Sequence, residues 1–190
     1  MDEVTNKEFT HLKIHTQYSI CEGALRTADL AKFCKINKIK AVGLCDSNNL
    51  CGALEFSESI AKSKTQPIIG TQINIQYKGN MGKIPLFAKD LQGYKNLIKL
   101  SSKSFLAIKD DEEPHCKIED IEANCKGLIL LSGSFDGLIG QLFFKNLTDE
   151  IFSLFKKFNN ILKDNFYLEI QRHNDDGEKL FEKFLLTLQI

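Results

Sequence analysis

His11, Lys13 and His15 stand two apart in the stretch FTHLKIHTQYSICEGAL, residues 9–25. In a strand, alternation points such residues to one face. A row of imidazoles on one face can share a cation, because each neutral ring offers a lone pair. Here the middle position is Lys13, and an ammonium has no lone pair to give. Other candidates lie at the tips of further apolar runs: Asp46 and Ser47 after AVGLC, Gln72 in PIIGTQINIQ, and Ser134 after GLILL. Polar groups gathered at strand tips are where α/β proteins build sites. His15 reads as a hydrogen-bonded member of such a network. Lys13 is placed to pair with Glu22 or Asp46, supplying a positive charge to the acids. His173 in IQRHN reads as a surface residue or a support to the site, and His115, beside Cys116, as loop. Glu55, Glu58 and Lys62 read as a solvated helix face with weak pairing. Gly79 and Gly82 frame a turn without the helix start that a phosphate cradle needs.

The elements that position these residues alternate along the chain. Phe9 to His15 reads as the first strand. Thr27 is expected to cap a helix with Asp29 in its first turn and Leu30, Phe33 and Cys34 as its stripe, ending near Asn37. Ala41 to Cys45 is nearly all apolar, as strands buried on both faces are. A helix over 50–63 follows, with Leu50, Ala53, Leu54, Ser57 and Ala61 at helical spacing. A strand is expected over 67–76, and after the Gly-rich turn 78–83 the chain is expected to return as a further strand over 84–88. Gly93 precedes a helix carrying Tyr94, Leu97, Ile98, Ser101 and Phe105, and a short helix over 118–124 leads into the strand 127–131. Leu138 to Phe144 reads as helix. Thr148 is expected to cap another, with Ile151, Phe152, Phe155, Phe158 and Ile161/Leu162 as its stripe. Phe166 to Ile170 is the last clear strand, followed by a helix from Asp175 bearing Leu180, Phe184 and Leu188. This β-α-β-α-β order predicts an α/β protein, either a barrel or a doubly wound sheet, with mainly parallel strands.

The bulk numbers narrow the function classes. A chain of 190 residues with 43% hydrophobic and 26% charged residues suits one domain with a real core. A net charge of zero argues against binding duplex DNA through a generally basic surface. No run reaches the roughly 20 apolar residues of a membrane helix, so no membrane association is expected. The polar start MDEVTNKE reads as a flexible segment over 1–8 and shows no signal peptide. The six cysteines form no CxxC and read as reduced thiols, which places the chain in the cytoplasm.

Taken in order, 9–25, LCDSNNLCGALEF at 44–56, QPIIGTQINI at 66–75, LFAKDLQGYKNLIKLSS at 86–102, KGLILLSG at 126–133 and FYLEIQRH at 166–173 resemble the N-terminal PHP domain of the bacterial DNA polymerase III alpha subunit. The resemblance covers about Phe9 to Ile190. It implies a distorted barrel of parallel strands over 9–190, incomplete at its C-terminus, with the last strand or strands missing. In metal-binding members of that family, ligands at the strand tips hold divalent cations that activate water for phosphoester cleavage. Carried over by motif, those positions are Lys13, His15, Glu22, Asp46, Ser47, Gln72, Lys83 and Ser134, and only His15, Glu22 and Asp46 keep a ligand type. Lys13 and Lys83 would place ammonium groups where cations bind, and Gln72 and Ser47 are weak donors. The resemblance therefore implies a degenerate site with no catalytic or metal-binding residues and no cofactor in this chain. Mg2+ would belong to the palm of a full-length parent. The chain is expected to be a scaffold and docking module, with the proofreading exonuclease subunit and the remainder of the polymerase as partners and DNA contacted only through the parent. The rival expectations are a stand-alone metal-dependent phosphoesterase of the same superfamily and a non-functional truncated product.

Overall fold

The computed structural model describes residues 9–109 and 111–188. The segment 1–8 expected to be flexible lies outside the described residues. Six strands form one sheet: β1 (Ala41–Ser47), β2 (Gln66–Tyr77), β3 (Asn80–Ala88), β4 (Cys116–Lys117), β5 (Leu128–Leu131) and β6 (Phe166–Tyr167). Their order is β1-β2-β3-β5-β6, with β4 paired to β2. The helices are α1 (Thr27–Asn37), α2 (Ala53–Lys62), α3 (Leu91–Leu106), α4 (Ile118–Asn124), α5 (Leu138–Phe144), α6 (Thr148–Leu162) and α7 (Glu178–Thr187).

Most pairings are parallel, as the alternation predicts: β1 with β2, β2 with β4, and β5 with β6. The exception is β3, antiparallel to both β2 and β5. Its cause is local. Lys78 and Gly79 take φ of 46° and 76°, the two positive values that a tight hairpin turn requires. The turn is thus shorter than the expected 78–83, and β3 begins at Asn80. Gly82 and Lys83 become strand residues. Gly82 is needed there because a Cβ would lie 2.5 Å from the backbone of Leu138 in α5.

Packing on the sheet explains the helices and corrects their expected faces. One apolar cluster joins Leu30 and Cys34 of α1, Val42 and Leu44 of β1, and Ala53, Phe56 and Ile60 of α2. A larger one joins Ile73, Ile75, Ile84 and Leu86 of the hairpin to the buried faces of α3 to α7. Each fully buried Leu, Ile or Phe side chain contributes roughly 1.5–3 kcal/mol. Phe33, Leu54, Phe105, Phe152 and Leu180, all expected in buried stripes, are exposed. In each helix two overlapping faces satisfy helical spacing, and contact with the sheet selects one. The expected caps at Thr27 and Thr148 also shift: Arg26 and Leu147 take the capping positions without side-chain bonds. The Thr27 hydroxyl instead donates to Glu55.

The opening strand is irregular. Gly43 N–H donates to the His11 carbonyl (2.7 Å) and Cys45 N–H to the Ile14 carbonyl (2.8 Å). A regular parallel ladder would use carbonyls two apart, so one extra residue bulges from this segment. The bulge breaks the alternation that would have put His11, Lys13 and His15 on one face. At the other end, β6 stops at Tyr167 rather than Ile170 because Glu169 N–H leaves the ladder for the Ser132 hydroxyl (2.9 Å). Between the opening segment and β6 the sheet stays open. A groove of about 800 Å³ lies there, lined in part by Phe9, Leu12, Ile129, Leu131, Tyr167 and Ile170. The barrel is therefore distorted and unclosed.

Candidate functional site

The strand tips converge on a polar mouth organised by four carboxylates, Asp46, Glu22, Asp136 and Glu169. Asp46, at the end of β1, is fully buried. Its oxygens accept from Thr16 N–H (2.6 Å), the Thr16 hydroxyl (2.7 Å) and the Ser19 hydroxyl (2.7 Å). The Ser19 oxygen in turn accepts from Ser47 N–H (3.1 Å). This residue pins the turn 16–23 onto β1. Gly23 closes that turn against the Thr16 carbonyl, at a distance no Cβ could occupy. The turn carries Glu22 out over the mouth.

Glu22 meets Lys83 of β3 in an ion pair and accepts the Ser47 hydroxyl. Gln72, which lies within β2 rather than beyond its tip, donates its amide to the Ser47 oxygen (2.8 Å), and Lys83 Nζ lies 3.4 Å from the same atom. Burial pushes the Glu22 carboxyl up, but the Lys83 bond and charge and the Ser47 bond outweigh it, and the group titrates below its ordinary range.

Lys13 does not pair with Glu22 or Asp46 as the sequence suggested. Its ammonium lies 3.2 Å from Glu169 Oε1 and 3.4 Å from the Ser134 hydroxyl. The difference follows from topology: Asp46 is saturated by the turn, Glu22 is taken by Lys83, and the bulge turns Lys13 toward the exit of β6. Ser134 donates to Asp136. Burial raises the Asp136 carboxyl, but the Ser134 bond and the Lys13 and Lys83 charges hold it below its usual range.

His15 was expected within a hydrogen-bonded network, yet its Nδ1 is buried without a hydrogen-bond partner, as is Glu169 Oε2. Burial first, then the Lys13 charge, lowers the His15 pKa from 6.5 against the opposing pull of Glu22 and Asp46. Beneath the mouth, burial drives the Cys45 thiol far up, so it is an inert packing group.

The sequence reading missed Glu169, Asp136, Thr16 and Ser19. Glu169 had a signal, a lone charge inside the apolar run FYLEI; Thr16 and Ser19 had none beyond turn composition. His173 is exposed on the loop before α7, with its backbone N–H bonded to Glu178 (2.9 Å). His115 lies in the loop before β4, as expected, and is buried there, with Nδ1 2.8 Å from the Glu113 carbonyl.

The donor chemistry of the mouth can be weighed against a divalent cation. Asp46 is engaged with the turn, Asp136 with Ser134, and Glu22 and Glu169 each face an ammonium. Among the described residues, the fully buried side-chain acceptors without a hydrogen-bond partner are His15 Nδ1 and Glu169 Oε2, and a bound transition metal uses three or four protein ligands. Among the described residues, no group of three His, Cys, Asp or Glu side chains is arranged to hold a metal ion. These residues do not fit a cation cluster.

The profile of the PHP domain matches residues 11–173, a span that includes the whole mouth. The chain belongs to the PHP domain family. It is 38% identical over 184 residues to DNA polymerase III subunit alpha of Rickettsia prowazekii, covering 95% of this chain and 15% of that protein. It is 34% identical over 181 residues to the subunit of the same name from Caulobacter vibrioides, covering 91% of this chain and 16% of that protein. This PHP chain thus spans about 15% of the length of such relatives. A crystal structure from Bifidobacterium adolescentis, named as a metal-dependent phosphoesterase, shares the fold with a TM-score of 0.56 at 12% identity, covering 93% of this chain and 82% of that one. Among the described residues of this PHP domain, no helix is long and apolar enough to cross a membrane.

Proposed function

We propose that this PHP domain is the N-terminal segment of a replicative DNA polymerase alpha subunit and acts as a scaffold and docking module without chemistry of its own. The observation that carries the reading is the 38% identity running through 184 residues of an alpha subunit. The mouth sets its limit: where metal-dependent relatives would need free donors, this chain offers lysines and engaged carboxylates. Polymerisation, and the Mg2+ that supports it, belong to a palm in the longer parent, in the cytoplasm. The docking partners are the proofreading exonuclease subunit and the remainder of the polymerase. DNA is reached only through the parent. The open groove beside β6 is where a further strand of that parent would complete the barrel.

The test is co-elution of the purified chain with the replicative proofreading exonuclease subunit of its own organism, alongside hydrolysis of a generic phosphodiester with added Mn2+. A stable complex without turnover is expected. Manganese-dependent hydrolysis, or no complex at micromolar concentrations, would overturn the reading.

A further inference from the structure

The opening segment and the exit of β6 flank the gap in the unclosed sheet. The backbone bonds of His11 and Ile14 run to β1, and β6 pairs with β5. Among the described residues, no backbone hydrogen bond joins 9–16 to 166–173. In a barrel the adjoining strands would close such a gap; in a metal-loaded mouth, a cation shared between strand tips would do so. Strand pairing does not hold this seam among the described residues, yet an ion pair spans it. Lys13 reaches across from the first edge to Glu169 on the second, at 3.2 Å, and to Ser134 at the tip of β5, at 3.4 Å. The side chains are 18% and 10% exposed, so water and salt screen the pair far less than a surface one. Glu169 is in turn fixed from its backbone, whose N–H bonds to Ser132, and by the Gln171 amide on the same Oε1 (2.5 Å). The acid is therefore presented in place for the ammonium.

We propose that Lys13 is a latch: an ammonium group, supplied by the chain itself, that ties the opening segment to the β6 exit. It does by one ion pair what strand pairing or a divalent ion would otherwise do. The inference rests on the reading above that the mouth holds no metal. It goes further in assigning closure of the seam to one residue, and it makes that closure indifferent to chelators.

Hydrogen–deuterium exchange on the native chain and on Lys13→Met, Lys13→Arg, Glu169→Gln and the Lys13→Met/Glu169→Gln pair tests this, each with and without EDTA. Lys13→Met and Glu169→Gln are expected to raise exchange about tenfold or more in 11–16 and 166–170, while the β2–β3 hairpin keeps its protection. Lys13→Arg should stay close to native, and the double variant should exchange no faster than either single one, because both remove the same contact. EDTA should change nothing. If Lys13→Met is too unstable to measure, the Arg and Gln variants decide alone: Arg as unprotected as Gln refutes the charge. Seam exchange unchanged in every variant and in EDTA overturns the latch and leaves the metal-free reading standing. Seam exchange that rises in EDTA on the native chain overturns that reading itself.

Discussion

Replacing Asp46 with alanine should be among the most damaging substitutions at the mouth. The carboxylate is fully buried and accepts three hydrogen bonds at 2.6–2.7 Å from Thr16 and Ser19. Bonds to a charged group contribute about 1.5–3 kcal/mol each. Three on one side chain are coupled, so their sum overstates the loss. Alanine also removes the acceptor of the buried Thr16 N–H. We expect a destabilisation of about 4 kcal/mol, an effect of about 8–16 °C in Tm for a chain of this size. Asp46→Asn should lose about half as much: its carbonyl oxygen still serves the Thr16 N–H, and its amide can donate to the Thr16 hydroxyl oxygen. Urea unfolding followed by circular dichroism measures both, with a shift of midpoint at constant slope. An alanine variant within about 1 kcal/mol of native, or an asparagine variant as damaged as alanine, would refute the assignment of Asp46 as the clip of the turn 16–23.

Gly43→Ala should displace the opening segment, because the new Cβ would stand 2.3 Å from the Leu12 carbonyl oxygen; a cost of about 2–3 kcal/mol and faster amide exchange over 11–16 are expected. Lys83→Met should return Glu22 toward the ordinary carboxylate range, readable by side-chain NMR, but cost no more than about 1 kcal/mol, because Glu22 is 38% exposed. His15 is held below its ordinary pKa of 6.5 by burial and Lys13. The unfolded chain therefore takes up its proton first as pH falls through 6.5, and stability should decline below that pH with a slope of at most about 1.4 kcal/mol per pH unit, a decline absent in His15→Asn. Asp90→Ala should cost about 1 kcal/mol, since the Asp90 carboxylate accepts from Gly93 N–H (2.8 Å) at the start of α3.

Much of the architecture was legible because β1, β5 and the helices carry strong local patterns. AVGLC and GLILL are apolar on both faces, and each became a strand within a residue or two of its expected bounds. The return of the chain into β3 was legible but the length of its turn was not: two residues, Lys78 and Gly79, reverse the chain, and the Gly at 82 disguised a strand position as part of the turn. The buried faces of α2 and α6 were ambiguous because both carry more apolar residues than one face can bury. At the mouth, residue types told which positions carry cationic groups, but not the pairing. Lys13 finds Glu169 only because a bulge in one edge and an early strand end in the other turn the two side chains toward each other, and neither irregularity leaves a mark in composition. The engagement of Asp46 with Thr16 and Ser19 was likewise hidden, since it depends on how the turn 16–23 folds back on β1.

Calorimetric titration of the native chain with Mn2+ and Zn2+ at neutral pH probes the mouth most directly. With Lys13 and Lys83 paired to Glu169 and Glu22 and Asp46 and Asp136 held by hydrogen bonds, no saturable heat is predicted up to about millimolar metal, with an unfolding temperature that is the same in EDTA. Stoichiometric binding at about micromolar concentration, accompanied by a rise in unfolding temperature, would contradict it.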